Sequence, residues 1–419
     1  KASPGRNLAG QLAAQGSRPG GRHTFLSAPG EETVLPFCVS VCYHDGNRTR
    51  KEKPMADLFK DRYRYESLCK LASEIQSVYR GFPADEFIQA TMDKTWEDLG
   101  FKQRVLQISS NLGKYLPADY EAAIRIIDQV IPNYAICFDG FALFFPAFVE
   151  LFGQDEENWD ISMAALARYT PYASSEFAVR SFLIKDEERM MAQMYAWSED
   201  ENEHVRRLSS EGCRPRLPWG QALTSFKKDP SPILPILENL KTDSSLYVRR
   251  SVANNLNDIS KTHPDLVREL AEKWYGKNDN TDWILRHGCR TLLKKGKEDV
   301  LKLFGYNDAA VAVRDFALES AAVRIGQDIL FSFTVLAESA VKARIEYGID
   351  YVKASGKRTR KLFKLSEITL KEKEKRFYRK KHSFKNLSTR KHYPGIHTLT
   401  LIINGRECGK ADFELYDYV

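Results

Sequence analysis

The chain has 419 residues, of which 43% are hydrophobic, and a formal net charge of +7, so it is long and apolar enough to build two or three packed domains. Its seven cysteines are scattered without a CxxC pair, which argues against a disulfide framework or a zinc site and indicates a reducing compartment. No stretch approaches the ~20 consecutive apolar residues of a membrane-spanning helix, which excludes a membrane protein.

Residues 1–54 differ in character from the rest of the chain. They are rich in Gly, Pro, Ser and Arg and have no sustained hydrophobic period, so we expect them to be disordered or foreign to the fold. Met55 begins a segment with a helical pattern, "MADLFKDRY", and is a natural candidate for the start of the native chain.

Residues 55–321 predict helix after helix, because apolar residues recur three and four positions apart between loops marked by Pro, Gly and Asp. The segment "HVRRL" at 204–208 returns as "YVRRS" at 247–251, 43 residues later, and a degenerate copy, "DWILR", occupies 282–286. Repeats of about 40–47 residues are typical of α-α solenoids of the HEAT type, whose stacked helices form a concave surface. A helical bundle without true repeats is the alternative.

Residues 322–419 predict a small β-sandwich. Short β-branched and aromatic runs such as "DILFSFTVLA" and "HTLTLIING" are separated by turn signals, which is typical of five to eight strands. The segment from Lys353 to Lys391 holds sixteen Lys and Arg residues against three Glu residues, while the rest of the chain is net acidic. Such a local excess indicates a polyanionic partner, although a solvated lysine-rich surface is the alternative.

Polar residues recur in one register on three consecutive repeat helices, opposite the apolar positions that should face the core. This stripe comprises Arg207, Glu211 and Arg214, then Arg250, Asn254 and Asn257, then Trp283, His287 and Arg290. Upstream, Glu176 and Arg180 lie one helical turn apart and should extend it. Taken singly, each position has a structural alternative as an ion pair, a helix-end hydrogen bond or a packing residue.

The stretch "SEGCRPRLPW", from Ser210 to Trp219, links two of these helices. We expect Glu211 and Arg214 to end one helix, the prolines to fix the exit, and Trp219 to stand at the start of the next helix. A rigid indole beside a carboxylate suits a flat cationic ligand.

Four segments of the chain closely resemble the AlkC branch of the HEAT-like DNA alkylation-repair proteins, relatives of the AlkD glycosylases. They are, in chain order, "EFAVRSF", "HVRRLSSEGCRPRLPW", the long motif "KKDPSPILPILENLKTDSSLYVRRSVANNLNDISKTHP", and "TDWILRHGCRTLLKKG". The resemblance runs from about Met55 to Tyr306. Some members of that branch carry a C-terminal immunoglobulin-like domain, which the predicted β-sandwich resembles.

The resemblance implies a monofunctional DNA glycosylase that removes cationic N-alkylated bases such as 3-methyladenine, 3-methylcytosine or 1-methyladenine, from a duplex held on the concave surface and without the deep pocket of most base-flipping enzymes. The active-site positions of the family correspond here to Glu176, Glu211, Trp219 and Asp258.

The residue types agree with this chemistry. A cationic base leaves readily, so the remaining task is stabilisation of an oxocarbenium-like sugar by carboxylates, as in glycoside hydrolysis. The predicted site therefore has catalytic Glu176, Glu211 and Asp258; substrate-binding Trp219, Trp283, Asn254 and His287; and Arg180, Arg207, Arg214, Arg250 and Arg290 on DNA phosphates.

No metal or other cofactor is expected, and the predicted partner is double-stranded DNA containing alkylated bases, bound by a monomer in the bacterial cytoplasm and on the nucleoid. A non-catalytic HEAT-repeat protein that binds DNA or acts as a protein scaffold is the alternative function, and RNA repair or binding fits the charge equally well.

Overall fold

The computed structural model describes residues 59–137, 142–306, 310–387 and 390–417, so the predictions for residues 1–54 lie outside the described residues. Helices occupy the first part of the described chain, up to Leu303. The α-helices are α1 (Tyr65–Val78), α2 (Ala84–Thr91), α3 (Phe101–Tyr115), α4 (Tyr120–Cys137), α5 (Phe144–Phe152), α6 (Trp159–Tyr169), α7 (Val179–Lys185), α8 (Glu187–Trp197), α9 (Glu203–Gly212), α10 (Thr224–Lys228), α11 (Leu234–Leu240), α12 (Leu246–Ile259), α13 (Pro264–Trp274), α14 (Asp279–Gly288), α15 (Arg290–Lys294) and α16 (Glu298–Leu303).

The second half of the helical part is a two-layer repeat. Helices α9, α12 and α14 pack side by side in one layer, and α8, α11 and α13 pack beside them in the other. The side chains of Asn202, Ser245 and Asn278 cap the N-termini of α9, α12 and α14, and the first two caps lie 43 residues apart. The predicted repeat is therefore confirmed, and its third copy begins at Asn278.

A pair of arginines shows how closely the first two copies repeat each other. Nη1 of Arg206 donates to two carbonyl oxygens of the preceding loop, and Nη1 of Arg249 does the same 43 residues later. The predicted core positions of α12, among them Val248, Val252 and Leu256, are completely buried. The opposite stripe of the same helices is thereby fixed in orientation, which positions the site described below.

The second part of the described chain is a β-sandwich of two sheets. Its strands are β1 (Val311–Leu318), β2 (Ala322–Arg324), β3 (Asp328–Ala337), β4 (Val341–Val352), β5 (Arg358–Leu370), β6 (Lys375–Ser383), β7 (Gly395–Ile403) and β8 (Arg406–Tyr416). One sheet has the order β1-β3-β6, and the other has the order β2-β8-β7-β4-β5, in which only the β2–β8 pair is parallel. Alternate residues of β3, including Phe331, Phe333 and Val335, fill the core between the sheets.

The strands begin earlier than the predicted boundary at residue 322, because β1 starts at Val311. The sequence of this strand does not alternate between apolar and polar residues, because the charged residues Arg314 and Asp315 stand next to each other, and the strand was therefore not predicted. Asp315 has a left-handed φ of 56°, and the register to β3 shifts at this point.

The two parts of the molecule meet closely where α16 reaches the second sheet. Tyr306 forms an isolated parallel bridge with Lys342, whose ammonium donates to the carbonyl oxygen of Phe304 at 3.0 Å. Gly405 has a left-handed φ of 82°, and a Cβ atom there would lie 2.7 Å from Leu301. The left-handed backbone and the close approach between the β7–β8 turn and α16 together favour glycine at this position.

Candidate active site

The three carboxylates predicted to be catalytic lie in one row, which we call the carboxylate row. Glu176 comes from the turn before α7, Glu211 from the end of α9, and Asp258 from the end of α12. Their exposed fractions are 6%, 5% and 1%. The last two lie near the C-terminal ends of adjacent helices that pack together, so the row follows the stacking of the solenoid.

Two buried arginines join the members of the row. Arg207 forms an ion pair with Glu176 through Nη1, and its Nη2 lies 3.5 Å from Oε1 of Glu211. Arg214 donates from Nη1 to Oε1 of Glu211 at 2.6 Å and from Nε to Oδ2 of Asp258 at 3.0 Å. Acidic and basic groups therefore alternate along the row, which is how buried charges avoid an isolated desolvated ion.

Two further side chains hold the ends of the row and were not predicted. Lys261 contacts Oδ1 of Asp258 at 2.9 Å, three residues further along the chain. Ser174 donates to Oε2 of Glu176 at 2.9 Å and accepts from Arg207 at 2.7 Å. The i,i+3 spacing would have found Lys261, but no spacing rule links Ser174 to Arg207.

The arginines keep Glu211 ionised. Burial alone would raise the pKa of this carboxyl, but Arg207, Arg214 and the hydroxyl of Ser251 outweigh it, so the pKa lies below its ordinary value. Burial lowers the pKa of both arginines in turn, and the carboxylates more than reverse that effect. The charged state of each group therefore depends on its neighbours.

The oxygens of the row are not all engaged to the same extent. Oε2 of Glu176 is engaged by Arg207 and Ser174, whereas Oε1 accepts no hydrogen bond from any residue that the structure describes. Both oxygens of Asp258 are engaged, by Arg214 and Lys261. Glu176 is thus better placed than Asp258 to accept a bond from a bound molecule.

Three of the arginines predicted to contact DNA phosphates are buried. The exposed fractions of Arg180, Arg207 and Arg214 are 2%, 8% and 6%. Arg180 donates to the main-chain carbonyls of Gly212, Arg214 and Gln221, and burial lowers its pKa to about 10. Neither this placement nor the ion pairs of the other two presents a guanidinium to a phosphate. Arg207 and Arg214 therefore contact the carboxylates of the row instead of phosphates. Arg180 donates to main-chain carbonyls of the turn after α9 and forms no ion pair with Glu176 in the described part of the chain.

The remaining predicted residues lie on α12, on α14 and at the start of α15. Arg250 and Arg290 are half-buried, and Arg290 donates to Asn254 at 3.0 Å. Trp283 is 36% exposed and stacks on His287 at 5.4 Å between ring centroids. Burial, Arg290 and Arg250 lower the pKa of His287 to about 4, so this imidazole is neutral near pH 7 and serves as a flat surface.

Trp219 lies in the loop between α9 and α10 and is 43% exposed. The prediction that it begins the next helix is wrong, since α10 begins at Thr224. Its backbone is in the left-handed region, with φ of 63°, and its ring packs against Phe59 and Phe101 at 5.9 and 6.0 Å. Lys102 donates to its carbonyl oxygen. The N-terminal helices thus hold an exposed indole in a strained turn.

The basic segment of the β-sandwich is partly neutralised by its own acidic neighbours. Arg360 pairs with Asp350 and Arg379 with Glu319. A second group of cations comes from the β4–β5 hairpin, the end of α15 and the segment between β6 and β7. Burial lowers the pKa of Lys361 there, and the nearby charges of Arg390, Lys294 and Lys353 lower it further. We call Lys294, Lys353, Lys361 and Arg390 the basic patch.

The described residues contain no group of three or more His, Cys, Asp or Glu side chains arranged to hold a metal ion. In the same part of the chain, every helix is too short or too polar to cross a membrane.

Comparison with known proteins gives two family matches. Residues 173–292 match the model of the DNA alkylation repair enzyme family, and residues 312–417 match the C-terminal Ig-like domain described for the uncharacterised protein YhaZ. The first match spans the entire carboxylate row, and the second spans nearly all of the β-sandwich.

Two individual proteins are similar over most of the chain. The uncharacterized protein YhaZ of Bacillus subtilis is 47% identical over 363 residues, which are 86% of this chain and 100% of that protein. A solved structure of Pseudomonas fluorescens alkylpurine DNA glycosylase AlkC, bound to DNA containing an abasic site analog, is 39% identical, with a TM-score of 0.80 over 85% of this chain and 99% of that one.

Proposed function

Because the chain belongs to the family of AlkC-type DNA alkylation repair enzymes that carry a C-terminal immunoglobulin-like domain, we propose that it is a DNA glycosylase for cationic alkylated bases. The proposed substrates are 3-methyladenine, 3-methylcytosine and 1-methyladenine in double-stranded DNA. The observation that carries the proposal is the row of three buried carboxylates, Glu176, Glu211 and Asp258, in a helical part that also holds two exposed tryptophans.

The reaction is a hydrolysis. The bond between C1′ and the alkylated base breaks, and its electron pair stays on the base, which becomes neutral. The positive charge passes to the sugar, where the carboxylate row stabilises it. Water then forms the new bond at C1′ and releases a proton, for which Oε1 of Glu176 is the proposed acceptor.

The base needs no general acid, because it already carries a positive charge. His287 agrees with this requirement, since its lowered pKa keeps the ring neutral near pH 7. In the proposed complex, Trp219 and Trp283 contact the cationic nucleotide through their ring faces. Arg207 and Arg214 act as positioning residues, which align the carboxylates and keep Glu211 ionised.

The alternative, a non-catalytic DNA-binding or scaffold protein, predicts a different outcome in cells. If the proposal is right, expressing the chain in a bacterium that lacks alkylation repair will restore survival after treatment with a methylating agent. Sensitivity that stays unchanged, with the protein present and folded, would favour the scaffold.

We further propose that the basic patch binds the DNA backbone. Replacing Lys353 and Lys361 together with Ala should weaken binding to undamaged duplex and reduce the steepness of its salt dependence. Each lost phosphate contact lowers the slope of log affinity against log salt by about 0.9, so two contacts lower it by about 1.8. Fluorescence anisotropy at several salt concentrations measures both quantities.

The control pair is Lys371 and Lys373, two exposed lysines at the other end of β5. Replacing both of them with Ala removes the same amount of charge about 30 Å further along the strand. If replacement of either pair reduces the slope equally, the salt dependence comes from the net charge of the domain, and the basic patch makes no specific contact with the DNA backbone.

A further inference from the structure

A cavity of about 160 Å³ adjoins the carboxylate row on the side of the N-terminal helices. Helices α3 and α5, the start of α7 and the loop after Trp219 enclose it. Ser174 and Phe177, which flank Glu176 in the sequence, line one wall, and Gly220 and Gln221 line another. The cavity therefore begins beside Ser174, whose hydroxyl donates to Glu176.

The walls combine flat apolar surfaces with a polar end. Phe101 and Phe177 contribute aromatic rings, and Leu106, which is 44% exposed, stands at the border with solvent. At the polar end, Ser181 donates to Oε1 of Glu150 at 2.6 Å. Oε2 of Glu150 accepts no hydrogen bond from any residue within the described ranges, and so it is available to a ligand with N–H groups.

The charges around the cavity are mixed, because Lys102 and Arg180 line it as well as Glu150, and they favour a neutral ligand that carries both N–H donors and acceptors. Burial raises the pKa of Glu150, while Ser181 and Lys102 lower it. The ammonium of Lys102 already contacts the carbonyl of Trp219 and lies 4.6 Å from the centre of the Phe177 ring. An incompletely compensated carboxylate gains more from an incoming N–H donor than a fully paired one does.

The volume limits the ligand. A cavity of about 150 Å³ is large enough for benzene, so the space here suits one aromatic ring rather than two. Among the bases that the proposed reaction releases, the one with a single flat ring and N–H donors is the pyrimidine.

We propose that this cavity binds the N-alkylated cytosine base after its release from the sugar. The proposal rests on the proposed function, because only excision supplies such a base at Glu176. The bond to C1′ is already broken when the ring enters, so no extrusion of an intact nucleotide from the duplex is needed. Occupancy of the cavity separates the base from the abasic sugar and prevents their recombination.

The test measures binding of free 3-methylcytosine to the full chain by ligand-observed NMR, with 3-methyladenine as the larger comparison. We expect millimolar or tighter binding of 3-methylcytosine, and at least about tenfold weaker binding of 3-methyladenine. Glu150→Gln, which removes the charge, and Leu106→Trp, which fills the border of the cavity, should each weaken binding at least about tenfold. Leu151→Trp is the matched control, because Leu151 is 43% exposed and does not line the cavity.

The same variants are then compared in single-turnover excision of 3-methylcytosine from duplex DNA, where the first step should stay within about threefold of the unmodified protein. The proposal is overturned if the protein excises 3-methylcytosine but does not bind the free base at 10 mM (a concentration of about ten times a 1 mM Kd), or if both cavity variants bind it normally. If the protein binds free 3-methylcytosine but excises no base from DNA, the proposed function is refuted, whereas the assignment of the cavity as a binding site for this base stands.

Discussion

Glu176→Gln is expected to slow excision of a cationic alkylated base at least about 100-fold in single turnover, while affinity for undamaged duplex changes less than about threefold. Loss of one preorganised electrostatic group at a developing charge typically costs 10²- to 10³-fold in rate. Glu176 should reach this range because its Oε1 is available to the sugar or to water, whereas Arg207 and Ser174 hold Oε2. The amide keeps the shape of the side chain and removes its charge.

Glu157→Gln serves as the control, since Glu157 is exposed on the surface and lies outside the carboxylate row. Its rate should equal that of the unmodified protein. If Glu176→Gln instead lowers rate and DNA affinity by the same factor, Glu176 is a structural residue and the proposed acceptor of the water proton is wrong.

Arg214→Met is expected to reduce the free energy of unfolding by about 3–5 kcal/mol at pH 7–8, the usual cost of removing one partner from a buried ion pair. Arg214 is the group that neutralises both Glu211 and Asp258. Without it, Arg207 and Ser251 alone oppose the effect of burial on Glu211, and the pKa of that carboxyl rises. Urea denaturation measures the change.

The sign of its pH dependence follows from that shift. In the unmodified protein the pKa of Glu211 is lowered, so the ionised carboxylate stabilises the fold above its ordinary pKa of about 4.3, and this contribution is lost as the pH falls further. In Arg214→Met the pKa is raised. The deficit in stability is therefore greatest at pH 7–8 and shrinks toward pH 5, and the acid limb of the excision rate moves to higher pH.

Two comparisons separate this effect from simple loss of packing. Arg216→Met removes a half-buried guanidinium from the same loop, one that has no carboxylate partner in the described part of the chain, and should leave the acid limb in place. Loss of Arg214 leaves the buried carboxylates of Glu211 and Asp258 without this ion-pair partner. Adding Asp258→Asn to Arg214→Met removes one of these two charges and should restore part of the stability. An unchanged acid limb in Arg214→Met would contradict the positioning role.

The repeat register could be predicted from sequence because it depends on local rules. A shift of 43 residues between copies keeps the helical phase of Arg207 and Glu211 on α9 aligned with that of Arg250 and Asn254 on α12. The core positions and the polar stripe follow from that phase. The position of Glu211 near the end of a helix follows from the prolines after it, Pro215 and Pro218.

The partners of the arginines could not be predicted in the same way. Arg214 and Asp258 are 44 residues apart, and whether they meet depends on the distance between neighbouring repeats, which no spacing rule contains. From charge and helical phase alone, DNA phosphates are as good a partner for these arginines as the carboxylates of the protein. Trp219 has the same difficulty, since its left-handed φ and its contact with Phe101 depend on distant N-terminal helices.

The most direct measurement is the release of free base from duplex DNA that carries a single 3-methylcytosine or 3-methyladenine. Mass spectrometry identifies the base, and the abasic sites are counted on the same DNA. We predict one free alkylated base for each abasic site formed and none from undamaged DNA. Folded protein that binds this DNA and leaves both lesions intact would contradict the assignment of the carboxylate row to glycosidic hydrolysis.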